Sequence, residues 1–250
     1  MTTGLLIVVL ASIFVGALAQ RIAGLGFALL ISPFLVIILG AHAGVLMVNV
    51  CGLVSSLLIM FRVWKDVDWS MYRWLVIPAA IGSVPASIAA VYLPAAPMAV
   101  IVGAIVLVAL GASLVLARNS VVVTGNPAKA IAGFASGVTN AIAGVGGPAV
   151  SAYAVMARWP QRPFAATLQP FFVTIATVTL AVKLAVDPGQ MPPFSVVAWV
   201  LIGLMIVGGI YAGERLQKHI RDDHVRFAVI VIAFLGAGAA MVKGIIDLVA

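Results

Sequence analysis

The chain has 250 residues, 64% of them hydrophobic and only 8% charged, with a mean hydropathy of +1.24. Soluble domains are roughly half apolar and a quarter charged, so this composition excludes a soluble globular protein and predicts an integral membrane protein. The net charge of +7 would suit nucleic acid, but the basic residues sit in short loops between apolar segments, as the positive-inside rule places them, and no nucleic-acid partner is expected. Cys51 is the only cysteine, so no internal disulfide forms, and no His/Cys cluster has metal-ligand spacing.

The first stretch, "MTTGLLIVVLASIFVGALAQ", lacks the basic leader of a signal peptide and reads as the first membrane segment. Apolar segments follow at about 4–20, 22–39, 43–61, 74–93, 97–117, 128–145, 147–157, 164–186, 194–213 and 225–248. A helix needs about 20 residues to cross the hydrocarbon. The seventh segment is too short to do so, and the first two are joined by a residue or so.

Placing the loop of Arg62, Lys65 and Arg73 in the cytoplasm puts 11 basic residues inside and 2, Lys183 and Lys243, outside, Arg21 set aside. That bias orients the chain with both termini external, in the cytoplasmic (inner) membrane. Trp64, Trp69 and Trp74 flank a loop as an aromatic belt would. Lys183 and Asp187 lie at the outer end of their segment, where solvation or mutual pairing is expected. Lys243 and Asp247 are spaced as an i,i+4 pair. "ERLQKHIRDDHVR" (214–226) reads as a solvated cytoplasmic connection, and His42 as a residue near the outer interface.

Sliding the sequence by 120 residues lays "FVGALAQRIAGLG" (Phe14–Gly26) on "FASGVTNAIAGVG" (Phe134–Gly146) without a gap, with five of 13 positions identical. The same shift pairs Gln20 with Asn140 and Asn49 with Gln169, amide on amide. It divides the chain into an N-terminal repeat (1–119), a linker (120–127) and a C-terminal repeat (128–250). Five segments per half is an odd number, so the halves have inverted topology, a recurrent plan of secondary transporters with a site near the midplane. The expected fold is an all-α polytopic membrane protein of two such repeats.

"AGLGF" and "AGVGGP" are candidate helix breaks or re-entrant hairpins. Backbone outside a helix is tolerated at membrane depth only where it is buried in protein or lines a cavity. Pro148 suits the first turn of a helix starting at Gly147. A helix N-terminus facing a cavity offers free N–H groups and partial positive charge, which suits an anion. Helix packing alone also uses such glycines; their pairing at equivalent positions favours a site. The amides of Gln20 and Asn140, beside the breaks, are neutral donors for an anion. Asn49 and Gln169 serve equally as substrate contacts or as helix bridges. Arg21 is a cytoplasmic loop residue if the first hairpin crosses fully, and sits at the tip, able to pair with an anion, if it is re-entrant. Its counterpart, Ala141, shows that the repeat does not demand the charge. No catalytic constellation, phosphate-binding loop or paired intramembrane carboxylate is present, so no enzyme and no cofactor is expected.

The repeated glycine elements "GLGF" and "GVGGPAV", with "RWPQRPFAATLQPFF" (158–172) downstream, resemble the sulfite exporter TauE/SafE family over nearly the whole chain. Phe27 stands where the second copy has Gly147. The resemblance implies transport of a small sulfur-containing anion such as sulfite, sulfoacetate or a related organosulfonate, by alternating access without ATP. The expected contacts are Gln20, Arg21, Gly24, Gly26, Phe27, Asn49, Asn140, Gly144, Gly146, Gly147, Pro148 and Gln169, with Arg162 nearby. An anion channel or a carboxylate transporter is the alternative. The anion and the lipid bilayer are the expected partners. The sequence decides neither a coupling proton or sodium ion nor a homodimer.

Overall fold

The computed structural model describes residues 3–23, 27–116, 122–216 and 222–249. Gly24, Gly26, Arg118, Lys218 and Arg221 lie outside the described residues. Those described form ten α-helices and no strand: α1 (Thr3–Ala23), α2 (Phe27–Leu39), α3 (Ala41–Val63), α4 (Trp69–Tyr92), α5 (Ala95–Leu116), α6 (Asn126–Ala143), α7 (Gly147–Met156), α8 (Gln161–Val186), α9 (Val196–Leu216) and α10 (Asp222–Val249). Short 3-10 turns lie at Trp64–Asp66 and Pro188–Gln190. The expected segments and these helices agree to within a few residues at most ends.

Seven helices are long and apolar enough to cross a membrane: α1, α3, α4, α5, α8, α9 and α10. Their outward faces carry large apolar side chains such as Ile77, Ile81, Val108, Leu204 and Leu235, a belt that water would not tolerate and lipid does. The protein is a polytopic all-α membrane protein. Helix α7 has ten residues, a length of about 15 Å, or half the hydrocarbon thickness. It turns back on α6: Val123 N, just before α6, donates to Met156 O, at the end of α7, at 3.1 Å. The α6–α7 unit is a hairpin with both open ends on one side.

Ion pairs and connections give the bundle two unlike ends. Arg62, Lys65, Arg73, Lys129, Arg158, Arg162 and Arg215 fall at one, the basic end, with Arg21 joined to them through Glu214. The far end holds the first residues of α1, the junction of α2 with α3, and the last residues of α8 and α10. The α1–α2 hairpin thus opens toward the far end and the α6–α7 hairpin toward the basic end.

Helices approach closely where glycine lets backbone meet backbone. A Cβ on Gly82 of α4 would lie 2.8 Å from Phe134 O on α6; one on Gly209 of α9 would lie 2.5 Å from Phe14 O on α1. Gly133 and Gly137 of α6 rest on the backbone of Leu75 and Ala79. Helix α5 packs on α10, and α3 on α8, at the centre.

Candidate functional site

The glycine break between α6 and α7 is built from its sequence. Helix α6 ends in Gly144, which has φ +72° and donates its N–H to Asn140 O at 2.8 Å. An L side chain resists this left-handed conformation, and a Cβ here would also meet Val48 at 2.8 Å. Pro148, lacking an N–H, occupies the first turn of α7 without loss.

Two carbonyls at the break are held by serine hydroxyls. Ser32 Oγ on α2 donates to Ala143 O at 2.5 Å, and Ser136 Oγ donates to Gly146 O. The N–H groups at the start of α7 have no intrahelical acceptor. The start of α7 therefore offers N–H donors at the break.

A cavity adjoins it. Its walls come from both hairpins and both central helices: Gln20 (α1), Phe27 to Leu29 (α2), Val48, Asn49, Gly52 and Ser56 (α3), Asn140 (α6), Gly144 to Gly147, and Phe172 and Ala176 (α8). About 50 Å³ of it is open to the centre of a water-sized sphere. One water needs about 10–15 Å³ on that measure, so the space fits a few atoms and rejects a large solute. No charged side chain lines it.

Gln20, Phe27, Asn49, Asn140, Gly144, Gly146 and Gly147 thus meet around one cavity, although the sequence separates them by up to 127 positions. Polar bonds fix them. Asn140 Nδ2 donates to Asn49 Oδ1 at 2.8 Å and to Thr179 Oγ1 at 3.1 Å. Asn49 Nδ2 donates to Val45 O at 3.0 Å, and Gln20 Oε1 accepts from Ser55 Oγ at 2.7 Å. Both Asn140 N–H donors are engaged with protein.

Other candidates lie elsewhere. Pro148 supports α7 without lining the cavity. Gln169 is buried on α8, its Nε2 donating to Ala165 O at 3.1 Å and its Oε1 without a partner. Arg162 is an exposed residue of the basic end, paired with Asp66 at 3.0 Å. Arg21 donates through Nε to Glu214 Oε1 at 3.2 Å, and the same oxygen accepts from Arg62. Its partner is a protein carboxylate. Glu214, read as part of a solvated connection, instead joins α1, α3 and α9.

Two further expectations fail. Lys183 is neither solvated nor paired: it is completely buried on α8, a helix that packs on α3 and α4. Lys243 donates to Ile37 O at 3.0 Å, capping the end of α2 instead of pairing with Asp247. Sequence reasoning also missed Ser56, whose buried hydroxyl lines the cavity and has no partner. The visible signal was two adjacent serines within an apolar segment.

A multi-pass helical bundle with a small, largely apolar cavity carrying a few polar groups at a broken helix is the build of a membrane transport protein. A protein-family model, sulfite exporter TauE/SafE, matches residues 8–240. The chain belongs to this family of membrane transporters for sulfite and related anions. Neither the curated proteins nor the solved structures give a match.

Proposed function

We propose that this protein is a secondary transporter that carries a small sulfur-containing anion (sulfite, sulfoacetate or a related organosulfonate) across the cytoplasmic membrane by alternating access. The observation that carries this reading lies at the break: the N-terminal turn of α7 borders the cavity, and Ser32 and Ser136 hold two nearby carbonyls, Ala143 O and Gly146 O. Free N–H groups at a helix N-terminus favour an anion. Ser56 Oγ and the Gln20 amide complete a neutral set of polar groups. Neutral donors hold an anion loosely enough to let it go.

Alternating access draws support from the packing. Exchanging α1–α5 with α6–α10 turns the α4–α6 contact into α9–α1 and leaves α5–α10 and α3–α8 as pairs. The backbone contacts at Phe134 and Phe14, aligned by the 120-residue shift, obey the same exchange. Asn49 and Gln169 also behave alike, each donating to the carbonyl four residues back. These correspondences support an inverted repeat, in which one half would rock against the other. The positive-inside rule makes the basic end cytoplasmic, with both termini outside.

Uptake of labelled sulfite, sulfoacetate and acetate into proteoliposomes, under imposed proton or sodium gradients, tests the reading. Movement of the sulfur anions in preference to acetate is expected, and the gradient that drives it identifies the coupling ion. Movement of none of the three refutes it.

A further inference from the structure

A second polar cluster stands at the far end of the bundle, apart from the glycine cavity. Lys183 on α8 is 0% exposed and its Nζ has no hydrogen-bond partner. Among the described residues it makes no ion pair. Asp187, one helical turn on, is engaged: its Oδ1 accepts from Gly189 N at 2.9 Å, capping the 3-10 turn Pro188–Gln190. That turn packs on both α8 and α3. In the first turn of α3, His42 lies within electrostatic reach of Lys183 and Asp187, and its Nδ1 is buried without a partner. The same holds for Gln190 Oε1. Three elements thus leave three buried polar atoms unsatisfied in one region.

An ammonium group taken out of water needs a counter-charge, because desolvation costs several kcal/mol or more per ion. Asp187, the acid one turn on, makes no ion pair with Lys183. We propose that Lys183, with His42 and Gln190, forms a second anion site near the far end of the bundle. It takes a small oxoanion of the class assigned above to the central cavity, and so rests on that assignment for its cargo. Lys183 supplies the charge and up to three N–H donors. Rotation of the Gln190 amide presents its Nε2. His42 is hydrogen-bonded to the Leu93 backbone, and the charge of a bound anion would favour its imidazolium form, whose Nδ1 then donates. The two sites divide the work. The charged site captures an anion that a neutral cavity attracts weakly, and the neutral cavity then releases it.

Equilibrium dialysis of the purified full chain against labelled sulfite at constant ionic strength tests this. Wild type should bind two equivalents, Lys183→Met one, and Lys183→Arg two. Removing an unpaired buried charge should also leave Lys183→Met folded and at least as heat-stable as wild type. Ser56→Ala, in the central cavity, should weaken one equivalent and keep the one that depends on Lys183. If only the central assignment is wrong, wild type binds a single equivalent that Lys183→Met abolishes. Equal binding by wild type and Lys183→Met overturns the proposal, as does a Lys183→Met protein less heat-stable than anion-free wild type.

Discussion

Asn140 and Asn49 are 91 residues apart in sequence and 2.8 Å apart at their side-chain amides. The bond joins a hairpin of the second half to the long central helix of the first. Asn140→Ala removes this bond and the one to Thr179, leaving Asn49 Oδ1 buried without a donor. Amide bonds between membrane helices average about 0.6 kcal/mol, and an orphaned acceptor adds about 1–3 kcal/mol. A loss of about 1–3 kcal/mol in thermal or denaturant stability is expected. Unchanged stability would show that the two amides do not hold the halves together.

Gly52 tests whether the cavity itself is used. It lines the cavity, and a Cβ placed there meets nothing within 4 Å. Gly52→Ala should stabilise α3 by up to about 1 kcal/mol through helix propensity. Gly52→Leu should fold and melt near wild type, yet lose anion binding at least tenfold because the side chain occupies the site. Binding calorimetry beside a melting curve separates the two effects; intact binding in Gly52→Leu would place the anion elsewhere.

Ser136 ties α6 to the break, its hydroxyl donating to Gly146 O, the N-cap carbonyl of α7. Ser136→Ala should cost about 0.5–1.5 kcal/mol, the usual net worth of one hydrogen bond, since Gly146 O still accepts within α7, and should weaken anion binding by loosening the start of α7. The affinity ratio between anion and wild-type or variant protein reads this directly. A variant that melts lower but binds as tightly would make Ser136 a purely structural residue.

Glu214 bridges Arg21 and Arg62 at the basic end, where side-chain exposures of 35% and 59% leave both cations well solvated. Such pairs contribute about 0–1 kcal/mol, so Glu214→Gln should barely shift the melting point. It should nevertheless release α1 and α9 from α3 and speed thiol labelling of Ser56→Cys in a Cys51→Ser background, added from the basic side. Unaltered labelling would mean that the bridge does not guard access.

The sequence made most of the fold legible because membrane helices announce themselves by length and apolarity. Helix α7 stood out as too short, and the glycine–proline element marked where it starts. Gln20, Asn49 and Asn140 were found because amides are rare in apolar runs and the 120-residue shift aligned them. The partner of Arg21 was hidden because Glu214 lies 193 residues away, in a stretch whose composition reads as solvated. Lys183 was misread for a related reason: sequence position near a helix end does not reveal that the bundle buries it. Ser56 was overlooked because one hydroxyl barely alters the apolarity of α3.

The central claim is that a small sulfur anion crosses by way of the cavity at the broken helix. Counterflow of labelled sulfite in proteoliposomes, comparing wild type with Gly144→Ala, tests it most directly. Gly144 holds φ +72° against Val48, so a Cβ there displaces the N-terminal turn of α7. Saturable sulfite exchange by wild type, reduced at least tenfold in a Gly144→Ala protein that still reconstitutes as a folded species, is the predicted result. Absent exchange in wild type, or equal exchange by both proteins, would contradict the account.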